Sequence, residues 1–301
     1  MWRWLTRRKR AGTLPAAPAN GGLANYRIDR LMGQGAASRV FLAQDRSNGR
    51  WVALKVLELG TGPAAPERHD ALERFRREAT VLHDLNHPGI VAMLDAGPSE
   101  QGAWMAMEAV AGCDLTRYTR PARLLPPPLV ARIGARLAEA LAYAHRRGVV
   151  HRDVKPANVL VDWTTDTVKL SDFGLARSDE HTQTRSGITL GSPEYMAPEQ
   201  LAGGAIGPAA DVYGLGATLF ELLAGRRPHQ SDSLGDLLRA VASEPAPQLA
   251  EIRPELDPAL CDAVMAMLAK DLARRPSDAA AVAKQLWAVA GVAASNRGVT
   301  P

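Results

Sequence analysis

The stretch His151–Asn158 reads HRDVKPAN, and the tripeptide DFG follows it at 172–174. Within the first stretch Asp153 supplies a carboxylate, and Lys155 and Asn158 place an ammonium group and a side-chain amide just behind it. Taken alone, this stretch could also be a polar turn after a helix. The tripeptide adds a second carboxylate, which makes the two motifs together far more specific than either one alone.

A glycine-rich segment lies far upstream at 33–40, with the sequence GQGAASRV. It fits the pattern G-x-G-x-x-[G/S]-x-V, with Ser38 in place of a third glycine. Glycines between two strands also occur in ordinary β-hairpin turns, which is one alternative interpretation. In a dinucleotide-binding fold, the other alternative, the motif would be followed by a helix. Because Val40-Phe41-Leu42 continues as a strand, we interpret the segment as a flap whose backbone covers phosphate groups.

Lys55 lies in the middle of the apolar run Val52–Leu57, so its ammonium group is predicted to lie within a strand of the core. Burial of a lysine there is unfavourable unless an anion meets it. Glu78 lies on the apolar face of a predicted helix at 67–84. A carboxylate there is unfavourable unless a cation pairs with it, and Lys55 can supply that cation. A purely structural ion pair is the alternative interpretation.

These motifs together meet the needs of phosphoryl transfer. The reaction requires a carboxylate near the attacking hydroxyl, oxygen ligands for Mg²⁺ and a cation that holds the phosphates in line. In this sequence Asp153 is suited to the first need, Asn158 and Asp172 to the second, and Lys55 to the third.

The composition excludes several classes of protein. With 301 residues, 46% of them hydrophobic and 23% charged, the chain is typical of one large globular domain or two lobes. The net charge is +4, but residues 1–10 carry +5, so the remainder is nearly neutral and nucleic acid is not an expected partner. Residues 11–25 lack the apolar core of a signal peptide, no membrane-spanning run occurs, and Cys113 and Cys261 lack metal-ligand spacing. We therefore expect a cytoplasmic protein.

The order of elements predicts an α+β fold. Residues 1–25 are expected to form a basic tail and a flexible linker, after which short apolar runs predict antiparallel strands from Tyr26 to about Glu58. One helix follows, and then a strand pair near 91–95 and 103–110. Helices are predicted around Val130–Leu141 with Gly148 as the stop, and at 209–224, 233–243, 257–270 and 278–290, the last with Ser277 as its N-cap.

Together these features resemble the eukaryotic-type (Hanks-type) serine/threonine protein kinases, in particular the bacterial branch. The resemblance runs from about Tyr26 to Val289. It includes the segment GSPEYMAPE at 191–199, the run DVYGLG at 211–216, and Arg275-Pro276 near the end. The family implies an ATP-dependent enzyme that phosphorylates serine and threonine hydroxyls of proteins.

The resemblance also implies the domain organisation. A two-lobed kinase domain is expected at 26–290, with a small antiparallel-sheet N-lobe that carries one helix at about 26–107. A hinge at 108–112 then leads to a larger, mostly helical C-lobe at 113–290, and a C-terminal tail follows at 291–301.

Individual roles follow from the same resemblance. Asp153 is the expected catalytic base, Lys155 is expected to contact the γ-phosphate of ATP, and Asn158 with Asp172 is expected to hold Mg²⁺, for which Mn²⁺ is the alternative. The other residues expected at the ATP site are Met32, Gly33, Gln34, Gly35, Ser38 and Val40 of the flap; Ala53; Lys55 paired with Glu78; Met107 as gatekeeper; the hinge backbone of Glu108 and Val110; and Leu160, which sandwiches adenine with Val40 and Ala53.

The substrate-docking segment has its own implied residues. Ser192 is expected to hydrogen-bond the catalytic aspartate and lysine, and Arg275 is expected to be the cation that pairs with Glu199. Lys155 and Ser192 resemble the serine/threonine rather than the tyrosine branch. His229 stands where relatives often carry Phe, which leaves the packing beneath the docking region open.

Regulation and partners are further expectations. Arg152 precedes the base, and in kinases with that arginine the activation segment needs an anion, which phosphorylated Thr182 or Thr184 would supply. Protein substrates and ATP are expected partners, with a homodimer as one route to autophosphorylation in trans. The tail at 1–10 is expected to be solvated, with an anionic membrane surface as the alternative.

Two other functions stay open at this point. A pseudokinase would keep the fold as a nucleotide-regulated binding module but would lack Lys55, Asp153, Asn158 or Asp172, all of which are present. A small-molecule phosphotransferase would share the fold and metal residues but would have no use for the segment at 191–199.

Overall fold

The computed structural model describes residues 21–35, 38–58, 72–73, 75–76, 79–99, 102–173, 192–204 and 206–295. The described chain forms two compact units. The first contains the residues up to Asp114 together with 160–167, and the second contains the rest. The chain order alone does not predict that 160–167 belongs with the first unit.

The first unit is built on a five-stranded antiparallel sheet with the strand order β1-β2-β3-β5-β4. A short 3₁₀-helix, Gly21–Asn25, precedes the sheet, and residues 72–73, 75–76 and 79–83 are helical. The strands are β1 (Tyr26–Gln34), β2 (Ser38–Asp45), β3 (Trp51–Glu58), β4 (Met93–Ser99) and β5 (Gly102–Glu108).

Side chains alternate along each strand and so reach both faces of the sheet. Each face contributes to its own cluster of buried residues. One face belongs to a cluster with Tyr26, Phe41, Leu54 and Trp104. The opposite face packs against the helical residues in a second cluster, whose members include Val40, Ala53, Leu57, Phe75, Ala79, Met105 and Met107. Lys55 alternates with Leu54 and Val56 and therefore lies on this second face.

A small three-stranded sheet follows, with the order β6-β7-β8. Its strands are β6 (Cys113–Asp114), β7 (Val159–Asp162) and β8 (Thr167–Leu170). Gly112 leads into β6 with φ 120°, and a Cβ atom there would lie 2.0 Å from the carbonyl oxygen of Val161. Only glycine permits this close approach of two backbones.

The second unit is mostly helical. Its helices are α1 (Pro127–His145), α2 (Pro198–Leu201), α3 (Pro208–Ala224), α4 (Leu234–Ser243), α5 (Leu249–Ile252), α6 (Pro258–Met267) and α7 (Ala279–Ser295). Four 3₁₀-helical turns lie between them or before them: Leu115–Tyr118, Pro121–Arg123, Pro156–Asn158 and Pro193–Tyr195. Helix α3 is buried along nearly its whole length. In the part of the chain that the structure describes, no helix is both long and apolar enough to cross a membrane.

Several helix boundaries differ from the sequence prediction; helix α7, for example, ends at Ser295 rather than at 290. Helix α6 ends at Met267 rather than at Lys270, and the next residues turn away to make tertiary contacts. Asp278, not Ser277, caps α7, because its carboxylate accepts a hydrogen bond from the N–H of Ala280 at 2.9 Å. The predicted stop of α3 is confirmed, since Gly225 adopts φ 72° as its C-cap.

Candidate active site

The backbone of the 151–158 loop is anchored by the buried carboxylate of Asp211, in the first turn of α3. Oδ2 accepts a hydrogen bond from the N–H of His151, and Oδ1 accepts one from the N–H of Arg152, each at 2.7 Å. His145 Nε2, at the end of α1, donates to Oδ2 at 2.7 Å. Arg152 has φ 68°, an unfavourable conformation for a residue with a Cβ atom. The carboxylate therefore holds the loop in a conformation that its own sequence does not favour.

The ring of His151 orients the next residues from inside the core. Its Nδ1 accepts a hydrogen bond from the N–H of Asp153 at 3.2 Å, so the proton lies on Nε2, which donates to the carbonyl of Ser171 at 2.9 Å. The ring also contacts Phe173, with a centroid distance of 4.5 Å. One side chain thus connects the 151–158 loop to residues 171–173.

The carboxylate of Asp153 is the centre of a charged cluster. Asn158 Nδ2 donates to Asp153 Oδ2 at 3.0 Å and to the carbonyl oxygen of Asp153 at 2.8 Å. Lys155 Nζ lies 2.7 Å from the same Oδ2 and also donates to Ser192 Oγ at 3.2 Å. The cluster brings together Asp153, Lys155, Asn158 and Ser192. Of the two hydrogen bonds expected of Ser192, with Asp153 and with Lys155, the structure shows the one with Lys155, whose ammonium group is the donor.

Asp172 and Asn158 are linked through the residue between their motifs. The carbonyl of Asn158 accepts hydrogen bonds from the N–H of Ser171 at 2.8 Å and from its hydroxyl at 3.1 Å. Asp172 has φ 58°, the second strained non-glycine residue beside the loop. Because the Asn158 amide nitrogen is taken by Asp153, its side-chain carbonyl oxygen is the atom suited to a metal. One amide oxygen and one carboxylate fit Mg²⁺, which takes few protein ligands and completes its shell with phosphate oxygens and water.

The 192–201 segment is held by a buried ion pair. Arg275, whose side chain is fully buried, donates to both carboxylate oxygens of Glu199 in α2, at 2.7 and 3.1 Å. Its guanidinium also bonds the backbone carbonyls of Ala269 and Ala209, each at 3.0 Å. The neighbouring Gln200 donates to the carbonyl of Arg152 at 3.0 Å. Helix α2 is therefore tied both to the 151–158 loop and to the residues before α7.

A second charged group holds the same segment from another side. The hydroxyl of Tyr195 donates to the carboxylate of Glu221 in α3, and Arg227 forms an ion pair with Glu194 at 2.7 Å. Burial raises the pKa of both Tyr195 and Glu221. The tyrosine therefore remains a neutral donor at physiological pH.

The first unit contains most of the residues predicted to contact ATP. Met32, Gly33 and Gln34 lie on β1, Gly35 follows it, Ser38 and Val40 lie on β2, Ala53 and Lys55 on β3, Met107 and Glu108 on β5, and Leu160 on β7. Val110 lies two residues beyond the end of β5. The strand register places Gly33 beside Val40 and Val40 beside Lys55, while Ala53 pairs with Met107. Met32, Val40, Ala53 and Met107 share one apolar cluster.

Three predicted residues lie outside the described part of the chain: Glu78, Thr182 and Thr184. The Lys55–Glu78 ion pair and the phosphorylation sites stay predictions. Among the described residues there is no group of three or more His, Cys, Asp or Glu side chains arranged to hold a metal.

The family profile described as "Protein kinase domain" matches residues 26–288. This chain belongs to the protein kinase family. Its curated relatives indicate the bacterial serine/threonine branch: it is 38% identical over 288 residues to the DNA damage-responsive serine/threonine-protein kinase RqkA of Deinococcus radiodurans, and 37% identical over 282 residues to the serine/threonine-protein kinase pkn3 of Myxococcus xanthus.

The kinase-family chain covers only part of these relatives. The alignments include 92% and 88% of this chain but 41% and 50% of RqkA and pkn3. Among solved structures, the kinase domain of Mycobacterium tuberculosis PknI is similar with a TM-score of 0.71 and 31% identity, covering 91% of this chain and 99% of that one. Rad53 residues 1–466 in complex with AMP-PNP, an ATP analogue, are similar with a TM-score of 0.72 and 25% identity, over 87% of this chain and 65% of that one.

Sequence reasoning missed several residues that position the kinase site. Asp211, His145 and Gln200 received no role, although they fix the backbone around Asp153. One signal was present: Asp211 is a carboxylate in the first turn of a helix that is otherwise almost entirely apolar, and such a group needs buried partners. His145 and Gln200 have no comparable signal.

Proposed function

We propose that this chain is an ATP-dependent serine/threonine protein kinase that transfers the γ-phosphate of ATP to hydroxyl groups of proteins. The observation that carries the proposal is the cluster in which Lys155 and Asn158 bind the carboxylate of Asp153, while Lys155 also donates to Ser192. Family membership supports ATP as the phosphate donor, and a relative in the solved structures binds an ATP analogue.

Asp153 is assigned as the catalytic base. Its Oδ2 is engaged by Lys155 and Asn158, which leaves Oδ1 for the hydroxyl of an incoming serine or threonine. As the hydroxyl oxygen bonds to the γ-phosphorus, its proton passes to Oδ1, and the bond to the bridging oxygen breaks to release ADP. The N–H bond to His151 and the conformation of Arg152 keep this carboxylate in one orientation.

Lys155 is assigned to the transferring phosphate. Its ammonium group is bound between Asp153 and Ser192, so it lies beside the carboxylate that we assign to the acceptor hydroxyl. A cation there offsets negative charge as the phosphoryl group moves. The bond to Ser192 connects this chemistry to the 192–201 segment, for which we propose the role of docking protein substrates.

Asn158 and Asp172 are assigned to Mg²⁺, which would neutralise charge on the phosphates when bound. Lys55 is assigned to the phosphates, and Met32, Val40, Ala53, Met107 and Leu160 to the apolar surroundings of adenine. The strand register supports this assignment, because it aligns Gly33, Val40 and Lys55 across three neighbouring strands. The glycine-rich segment and the ammonium group of Lys55 therefore belong to the same face of the sheet.

We also propose that the chain phosphorylates itself on Thr182 or Thr184. Either phosphothreonine would bring nearly two negative charges into the activation segment, and the guanidinium of Arg152 favours charge-assisted bonds to phosphate. Mass spectrometry of the tryptic peptide after incubation with ATP and Mg²⁺, compared with the Asp153→Asn protein, tests the assignment.

A single assay with labelled ATP, Mg²⁺ and a generic basic protein tests the function itself. We expect label on the added protein, on the chain itself, or on both. A small-molecule phosphotransferase would label neither protein, and a pseudokinase would bind nucleotide without turnover. Either result would contradict the proposal.

A further inference from the structure

The buried His229 and the half-buried Lys270 form a polar group that the proposed chemistry does not use. His229 lies in the loop after α3 with 5% of its surface exposed, and Lys270 lies between α6 and α7. The ammonium group of Lys270 makes three hydrogen bonds: to the hydroxyl of Tyr213 at 3.0 Å, to the carbonyl of Val241 at 2.7 Å and to His229 Nε2 at 3.0 Å. All three of its N–H donors therefore have acceptors.

The charges around Lys270 explain why His229 is an acceptor. Burial and the Lys270 ammonium lower the pKa of His229 to about 4, so the ring is neutral at pH 7. Burial and the guanidinium of Arg275 lower the pKa of Lys270 to about 8, which still leaves it mostly protonated. The ionisable groups facing the ammonium from its neighbouring elements are Tyr213, His229, Arg275 and, at longer range, Glu244. A third positive charge on His229 would be strongly unfavourable.

The backbone of residues 269–270 connects this group to the 192–201 segment. Arg275 Nε donates to the carbonyl of Ala269 at 3.0 Å, and its NH2 group lies 3.5 Å from the carbonyl of Lys270. Both cations also lie over the ring of Tyr213, Lys270 Nζ at 5.3 Å and the Arg275 guanidinium at 5.0 Å from the centroid. The side chain of Lys270 thus fixes the carbonyls on which the Arg275 guanidinium depends.

From Arg275 the contacts continue to the base. Arg275 bonds both oxygens of Glu199, and Gln200, the next residue of α2, donates to the carbonyl of Arg152. Arg152 directly precedes Asp153. A shift of the 269–270 backbone would therefore move α2 and reach the backbone next to the base.

We propose that Lys270, held by His229 and by Tyr213, is a positioning residue for the 192–201 segment and acts on it through Arg275. We assign Lys270 no contact with substrate or nucleotide, only the contacts with Tyr213, Val241 and His229. Its kinetic consequence, weaker docking of protein substrates, rests on the proposed function, whereas the structural consequence does not.

Two pairs of variants separate positioning from bulk stability. Lys270→Met keeps the aliphatic stem and removes the ammonium group, and Lys284→Met is its control, because Lys284 is exposed on α7. His229→Phe fills the space without an acceptor, whereas His229→Gln retains an oxygen that Lys270 can bond. We expect His229→Gln to restore most of what His229→Phe loses.

The first readout is hydrogen–deuterium exchange of peptides covering 192–204 in the full chain. The amides of Gln200, Ala202 and Gly204 are hydrogen-bonded within this stretch, so they report its local opening. We expect exchange at least about threefold faster in Lys270→Met and His229→Phe than in the wild type and Lys284→Met. Equal exchange in Lys270→Met and Lys284→Met would overturn the proposal. If Lys270→Met does not fold, equal exchange in His229→Phe and His229→Gln would overturn it.

The second readout is steady-state kinetics with a protein substrate. We expect the KM for the protein to rise roughly three- to tenfold in Lys270→Met, with the KM for ATP unchanged. A uniform loss of activity with both KM values unchanged would contradict positioning of the docking segment. If the wild type transfers no phosphate at all, the proposed function fails, and the exchange experiment still decides the role of Lys270.

Discussion

Replacing Asp211 by asparagine tests how the fold imposes the geometry of the 151–158 loop. The carboxylate is fully buried and accepts three hydrogen bonds, from His145, His151 and Arg152. Asparagine keeps one acceptor oxygen but presents an NH₂ group in place of the other. If the oxygen faces His145 and His151, the NH₂ group faces the N–H of Arg152. Both groups are donors, so no hydrogen bond can form between them.

The expected effect follows from that one lost bond. A hydrogen bond to a charged group contributes about 1.5–3 kcal/mol, and an unsatisfied buried N–H adds on the order of 1 kcal/mol, so we expect a loss of roughly 2–4 kcal/mol. For a domain of this size the melting temperature would fall by roughly 5–15 °C. Because Arg152 would no longer be held at φ 68°, Asp153 would shift, and kcat would fall roughly ten- to hundredfold.

Thermal unfolding and steady-state phosphotransfer measure the two effects. Asp236→Asn is the matched control, since Asp236 is also in the first turn of a helix but is exposed. We expect that control to stay within about 0.5 kcal/mol of the wild type. An Asp211→Asn protein that melts and turns over like Asp236→Asn would refute the anchoring role of the carboxylate.

The remaining predictions concern the buried ion pair, pH and regulation. Arg275→Met should lower the free energy of unfolding in urea by about 3–5 kcal/mol, because it leaves the largely buried carboxylate of Glu199 unpaired. Arg274→Met should leave it nearly unchanged, because the Arg274 side chain is 84% exposed. Since burial and Lys270 lower the pKa of His229 to about 4, the unfolded chain binds a proton that the folded chain does not, and the unfolding free energy should fall as pH drops from 6.5 to about 4. In His229→Phe that slope should be smaller, and an unchanged slope would argue against a neutral His229. Thr182→Ala/Thr184→Ala should lower activity on added substrate at least several-fold, and full activity with the unmodified peptide would contradict the regulatory assignment.

The sequence predicted the long elements well because they have clear periodicity and end signals. The strand signals around Val40 and Val52, and the helix closed by Gly225, correspond to β2, β3 and α3. The strands β6–β8 were missed because two to four residues are too few to show an alternation. Helix α6 was extended too far because Leu268 and Ala269 continue its apolar pattern, while tertiary bonds to the following turn end the helix.

The chemical groups of the site could be predicted from the sequence, but the residues that hold its backbone could not. The motifs named Asp153, Asn158 and Asp172, because residue types at fixed spacing carry chemical meaning. No local pattern indicates the positive φ angles of Arg152 and Asp172, since neither residue is glycine. The carboxylate that holds Arg152 lies 59 positions further along the chain, a distance that sequence pattern does not bridge.

The role of Asp153 as catalytic base is tested most directly by the Asp153→Asn protein, compared with the wild type at matched Mg²⁺ and labelled ATP. Asparagine fills the same space but cannot take up the proton of the acceptor hydroxyl. We expect phosphate transfer to added protein to fall at least about a hundredfold, while ATP binding measured by titration stays within about threefold of the wild type. Turnover by Asp153→Asn close to that of the wild type would contradict the account.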